Sequence, residues 1–197
     1  KYNSLGELKW AISAGGSMAD RAYSIKSDIS RNLNITGFYY GSATFGTSTI
    51  NSVSGSQDVF IAKYDSSGNY IWANTIDNSG NVDDFGNSIA LDASGNVYIT
   101  GQFSGTADFD SDTSTANVAS NGGLDIFNAK YDNDGNFIWA FGIGSTGDDN
   151  STWITINGAD NYITGSFQGM ADFDPGAGTV NITPTGGDEI FFAKYDN

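Results

Sequence analysis

DVFIAKYDSSGNYIW (58–72) returns as LDIFNAKYDNDGNFIW (124–139) and again as DEIFFAKYDN (188–197). The lysines of the shared phrase, Lys63, Lys130 and Lys194, lie 67 and 64 residues apart, and Lys1 of the opening KYNSLGELKW stands 62 before Lys63. A period of this length marks a repeat architecture in which each unit buries an apolar face against its neighbours. Working outward, NITG (34–37) becomes YITG at 98–101 and 162–165, so Ile35, Ile99 and Ile163 fall at a constant interval of 64. GSATFG (41–46), GTADFD (105–110) and GMADFD (169–174) follow in the same order. The chain therefore reads as a single array of circularly shifted copies over 17–79, 80–144 and 145–197. The last copy lacks its final strand, and residues 1–16 read as the fourth strand of a split unit.

Within the middle copy, FGNSIALD (85–92), the turn ASGN and VYITGQF (97–103) form one predicted hairpin. LDIFNAKYD (124–132) and NFIWAFGI (136–143) form a second, around NDGN, after a polar excursion over 104–123. In DVFIAKYD, Phe60, Ala62 and Tyr64 alternate with Val59, Ile61 and Lys63, so both faces carry apolar groups. A strand apolar on both faces suits a sheet stacked between two others. Trp10, Trp72 and Trp139 hold equivalent places in the fourth strand, where a large flat side chain fills the widening wedge between sheets.

Composition agrees with an all-β fold. Aromatic residues make up 14% of the chain, mostly Tyr and Phe in short alternating runs, and no stretch of ten residues carries apolar positions at helical spacing with a cap. Hydrophobic content is a low 39%, and 26 glycines serve turns. The formal charge of −15, from 23 acidic and 8 basic residues, opposes nucleic acid phosphates and anionic membranes. No segment approaches a membrane span of about 18 apolar residues. The absence of His and Cys removes imidazole catalysis, thiolate nucleophiles, His or Cys zinc sites and disulfides.

These phrases resemble the seven-bladed β-propeller repeat family of bacterial secreted and surface proteins. Units of that family read D-x-F-x-x-K-Y-D-x-x-G-N-x-x-W, then D-x-x-G-N-V-Y-x-T-G-x-F and often D-F-D-P-G. The resemblance covers essentially the whole chain. It implies propeller-type sheets and a place outside the cell or on its surface, and assigns no activity. The unit of 62 to 67 residues exceeds the roughly 40 to 45 of a minimal blade, and the surplus lies in inserts such as 104–123. The first copy departs most, with TFG (44–46) in place of DFD and SRNLN (30–34) in place of a G-N turn.

Three units are few for a closed ring of four to eight blades. With Lys1 mid-repeat and no initiator Met, the chain is expected to be a processed or excised piece of something longer. Its ends are complementary in pattern. Glu7 to Ser13, with Glu7, Trp10 and Ile12, is expected to pair antiparallel with Ile190 to Asp196, with Ile190, Phe192 and Lys194. The pairing runs in cis or, preferably, between chains, as a closed oligomer or a head-to-tail filament. The remainder of a larger propeller is the alternative partner.

Several clusters are candidates for chemistry. Asp108, Asp110 and Asp112, with Asp172 and Asp174 in the counterpart ADFDP, offer carboxylates at alternate spacing to a hard cation such as Ca²⁺. The competing reading is that they cap turns. The turns DSSGN (65–69), DASGN (92–96) and DNDGN (132–136) read as structural. Asp20, Asp84 and Asp149 recur five residues before Ile25, Ile89 and Ile154. Among eight basic residues, the three recurring lysines suggest an inward or inter-blade ion pair with a recurring Asp, in preference to catalysis. Asp83 with Asp84 and Asp148 with Asp149 are the pairs a glycosidase would need, but neighbours on a strand point to opposite faces. No catalytic residue and no required cofactor is assigned. The expected role is a non-enzymatic structural or adhesive module, with a carbohydrate-binding module that uses insert aromatics such as Phe109 and Phe173 as the alternative.

Overall fold

The computed structural model describes residues 1–52, 55–78, 80, 82–111 and 114–196, and among them all regular structure is β. The first sheet takes β1 (Arg21–Ser27), β2 (Leu33–Tyr40), β5 (Gln57–Tyr64) and β6 (Tyr70–Asn78) in antiparallel order β1-β2-β5-β6. Between β2 and β5 stands a small hairpin, β3 (Ser42–Phe45) with β4 (Ser48–Asn51). The second sheet repeats the plan with β7 (Phe85–Leu91), β8 (Val97–Phe103), β11 (Asp125–Tyr131) and β12 (Phe137–Ile143), and its insert hairpin is β9 (Thr106–Asp108) with β10 (Asn117–Ala119). The third holds β13 (Asn150–Asn157), β14 (Asp160–Phe167) and β17 (Glu189–Asp196), with β15 (Ala171–Asp172) and β16 (Asn181–Ile182) as its insert.

Each first strand carries a bulge, between Ala22 and Ser24, Gly86 and Ser88, and Ser151 and Trp153. The bulge explains the glycine of the recurring ITG phrase. Gly37, Gly101 and Gly165 face it, and a Cβ there would strike the carbonyl oxygens of Arg21, Phe85 and Asn150. The preceding threonines tie second strand to third, Thr36 Oγ1 donating to the Phe60 carbonyl (2.8 Å), Thr100 to Phe127 (2.7 Å) and Thr164 to Phe191 (2.6 Å).

The core lies between sheets. Val59, Ile61 and Ile76 of the first sheet pack with Ile89, Val97 and Ile99 of the second, and Ile126 and Ile143 of the second with Ile154 and Ile163 of the third. The inserts fold back onto their own sheets through one phenylalanine each. Phe45 meets Phe60 at 4.8 Å, Phe109 meets Phe127 at 5.3 Å and Phe173 meets Phe191 at 5.2 Å between ring centroids. Strand β9 also pairs with β6 through Asp108 and Asp77, so the insert fastens its unit to the one before.

Among the described residues the two ends do not meet within the chain. Strand β17 pairs with β14 on one side, and no described residue of 1–16 pairs with it. Of the two routes expected for pairing Glu7 to Ser13 with Ile190 to Asp196, the less favoured one within the chain is not found among the described residues. The physical reason is that the N-terminal segment is held at the first sheet. Gly15 exchanges backbone hydrogen bonds with Thr44 (3.1 and 3.0 Å), and Trp10 Nε1 donates to the Ser66 carbonyl at 3.2 Å.

Candidate functional site: the junctions between units

The recurring residues gather where one unit meets the next. Asp84 and Asp149 are fully buried at the entrance to β7 and β13. The Asp84 N–H donates to the Gln57 carbonyl (2.7 Å) while Asp83 Oδ1 accepts from the Gln57 N–H (3.0 Å). The Asp149 N–H to the Leu124 carbonyl (2.6 Å) and the Leu124 N–H to Asp148 Oδ1 (3.0 Å) repeat this two-bond clamp one unit later. The adjacent carboxylates thus divide their work. One closes the clamp and the other turns inward.

The inward carboxylate collects backbone donors from both sides of the junction. Asp20 accepts from Gly16 (2.7 Å) and Tyr40 (3.2 Å), and Asp149 from Ser145 (2.5 Å) and Gln168 (2.8 Å). Asp84 Oδ1 accepts from the Ser104 N–H (3.1 Å) and the Asn78 amide (3.3 Å). Such bonds hold a carboxylate in place of a counter-ion, but each complete junction buries a further acid, Asp58 or Asp125, at the start of the third strand. Burial pushes the Asp84 carboxyl up to about 8, with the charges of Asp58 and Asp83 adding to it against the bonds from Ser104 and Asn78. Burial likewise takes Asp125 up to about 7, opposed by the Asn121 N–H and reinforced by Asp149. Asp84 Oδ2 and Asp125 Oδ1 are buried with no hydrogen-bond partner among the described residues.

The lysines serve a different place. Lys63, 2% exposed, lies 3.6 Å from Asp28 and reaches across the junction to the carbonyl (2.9 Å) and side-chain oxygen (2.6 Å) of Asn133. Lys194 pairs with Asp160 at 3.0 Å, and Lys130 sits over the Tyr98 ring at 4.8 Å. The partner acid of Lys63 is therefore Asp28 of the first-hairpin turn and that of Lys194 is Asp160 at the start of β14, and neither is Asp20, Asp84 or Asp149. Sequence pairing missed Asp28 because it lies in DISRN, where Arg31 replaces the glycine of DASGN. Trp72 Nε1 joins Lys63 on the Asn133 carbonyl at 3.3 Å, and Trp10 with Lys1 does the same on Ser66, the Lys1 Nζ distance being 2.8 Å. Trp139 stacks on Phe141 at 5.4 Å.

The turns are self-contained. Asp65 Oδ1 accepts the N–H groups of Ser67 and Asn69, and Asp92 and Asp132 repeat this with Ser94 and Asn96, and with Asp134 and Asn136. Gly68, Gly95 and Gly135 take φ of 89°, 82° and 90° in these turns. Asp108 and Asp172 are spent similarly. Asp108 Oδ1 accepts from Asp110 (3.0 Å) and Ala116 (2.8 Å), and Asp172 Oδ1 from Asp174 (3.0 Å) and Val180 (2.7 Å). Asp112 lies outside the described residues, among which no three His, Cys, Asp or Glu side chains assemble as a cation ligand set. Phe109 and Phe173 are core residues, 0% and 7% exposed, so the expectation that they form a sugar platform is corrected. Their apolar rings are needed to dock the insert, and Tyr131 and Tyr195 hydroxyls bond their carbonyls at 2.8 and 3.1 Å.

Antiparallel sheets packed face to face and fastened by repeated junction hardware define a propeller-type repeat protein. Residues 79–102, which take in β7 and all of β8 but Phe103, match the beta-propeller repeat family SBBP. The chain is also similar to an uncharacterized WD repeat-containing protein, L264, of Acanthamoeba polyphaga mimivirus. The two are 32% identical over 118 residues, which is 51% of this chain and 8% of that much longer protein.

Proposed function

We propose that the chain is a non-enzymatic structural or adhesive module that acts outside the cell or at its surface. The observation that carries this reading is the symmetry of its polar residues. Asp20, Asp84 and Asp149 do one structural job, the turn aspartates another, and among the described residues no unit sets aside an acid pair facing a pocket of its own. A site built for turnover breaks symmetry, because one unit must hold groups that the others lack. The resemblance to secreted propeller proteins supports the location, and the net charge of −15 supports solubility in a crowded surface layer.

A carbohydrate-binding role is the second reading, and one residue favours it. Trp153 is 55% exposed on β13, with Lys26 at 5.5 Å from its ring, in a shallow groove beside Leu91 and Thr155. Exposed indole faces stack on sugars. A glycan array with the wild-type protein and Trp153→Ala separates the readings. The structural role gives no saturable glycan signal, whereas a signal abolished by Trp153→Ala establishes the lectin. Antibody labelling of intact producing cells checks the location, and signal appearing only after lysis would overturn it.

A further inference from the structure

At the junction of the first two units an amine, an acid and a carboxamide meet, each carried by a different segment. Lys63 of β5 has its side chain 2% exposed, and the Asp28 side chain, 5% exposed, stands 3.6 Å from Nζ. Asn133 comes from the second unit, and its Oδ1 accepts from Nζ at 2.6 Å. The turn that carries Asn133 is fixed to the first sheet, because Trp72 Nε1 donates to the Asn133 carbonyl (3.3 Å) and the Asn74 amide to the Gly135 carbonyl (2.6 Å). On its other side Oδ1 rests against Gly95, where a Cβ would come within 2.6 Å of it. With a C=O bond of about 1.23 Å, Nζ lies no farther than about 3.8 Å from Cγ. Reacting atoms in a near-attack geometry are roughly 3–3.5 Å apart.

These are the parts of an amide exchange. A desolvated lysine amine is a nucleophile once it has given up its proton, and a carboxamide held against it is an acyl donor. We propose that Lys63 and Asn133 join in an isopeptide bond with loss of ammonia, Asp28 carrying the proton. Asp28 takes a proton from the ammonium, so the buried ion pair becomes two neutral groups. The lone pair of Nζ forms the bond to Cγ, and the C=O pair moves onto Oδ1. As that pair returns, the Cγ–Nδ2 bond breaks. The leaving nitrogen takes up the proton held by Asp28 and a second one shed by Nζ, and departs as ammonium. Asp28 is again a carboxylate and no co-reactant is consumed. Asn133 lies at the exposed rim with Nζ beneath it, which gives the ammonium a way out while water is kept from the amine. Lys1 makes the same reach to the Ser66 carbonyl at 2.8 Å, but the serine side chain offers no acyl carbon. The step acts once, on the chain itself, and so stands apart from the module reading. Its effect is mechanical, because a link between residues 70 apart removes loop entropy from the unfolded chain.

Mass spectrometry of the intact chain, denatured after incubation of the folded protein at neutral pH, tests this. Wild type is expected one ammonia below the mass of its sequence. Trypsin then fails to cut after Lys63, and residues 32–130 and 131–194 appear as one branched peptide. Asn133→Ser copies the first unit, where Ser66 stands at that place, so it keeps the fold, shows the full mass and restores the cut. Asp28→Asn retains an oxygen acceptor for the Asn32 N–H but cannot take the proton, and it forms the link roughly a hundredfold more slowly. Wild type at the full sequence mass, with a β fold intact by circular dichroism, overturns the proposal. So does an ammonia loss that persists in Asn133→Ser, since it arises at another asparagine. Linking of Asp28→Asn at the wild-type rate overturns the role of Asp28 as proton carrier.

Discussion

Arg31 shows how one residue can hide a motif. It has φ of 66°, the one positive value among described residues other than glycine, and it occupies the turn place where the second unit has Gly95. The turn is kept regardless, because Asp28 accepts from the backbone (2.8 Å) and amide (2.9 Å) of Asn32 as Asp92 does from Asn96. A left-handed backbone costs a side chain about 1–2 kcal/mol, partly offset by the greater unfolded-state freedom of glycine. Arg31→Gly is therefore expected to stabilise by about 0.5–1 kcal/mol, read as the midpoint of urea unfolding. Asp108 makes a second residue-scale case. Its Oδ1 holds two backbone N–H groups of the insert, so Asp108→Ala is expected to cost about 1–2 kcal/mol. Melting with Ca²⁺ and with chelator shows whether the loss is metal-linked, and an equal loss in both conditions leaves hydrogen bonding as the cause.

At the scale of elements, the two internal junctions are built alike but not from the same residues. Ile61 and Val97 in the first are replaced in the second by Asn128 and Asn161, both fully buried and with amide groups lacking a hydrogen-bond partner among described residues. An unsatisfied buried amide costs about 1–3 kcal/mol, while the first junction shows that aliphatic groups fit these positions. Asn128→Ile with Asn161→Val is expected to raise the unfolding midpoint in urea. A double-mutant cycle tells whether the two amides act together. A lowered midpoint would mean that the amides are satisfied in solution.

Over the whole molecule, the paired acids make stability depend on pH in an uncommon direction. Asp84 and Asp125 have folded-state values of about 8 and 7, well above the roughly 3.9 of an unfolded chain. The folded protein thus holds protons that the unfolded chain releases between those limits, and stability falls as pH rises from about 4 through 8. Opposing this, Asp65 is held low by the Asn69 side chain and Asp160 by Lys194, and both lose stability as pH drops below the ordinary carboxylate range. The thermal midpoint is expected to be highest near about pH 4 and to decline toward pH 8. Asp84→Asn keeps an acceptor at the junction without the charge, and should flatten that decline. An unchanged slope in this variant would place the dependence elsewhere.

The sequence by itself determined the repeat, the all-β class and the strand positions, because these follow from local alternation and from phrases that recur in step. The hairpins expected at 85–103 and 124–143 are β7–β8 and β11–β12. The turn role of Asp65, Asp92 and Asp132 was equally legible, since every bond is made within four residues. Only the tertiary structure decided which acid meets which lysine, that Phe109 and Phe173 are core, and that the N-terminal segment docks on the first sheet. Those outcomes depend on contacts between residues tens of positions apart. Lys63 to Asn133 and Trp10 to Ser66 are set by how one sheet stacks on the next, and no local pattern encodes that placement.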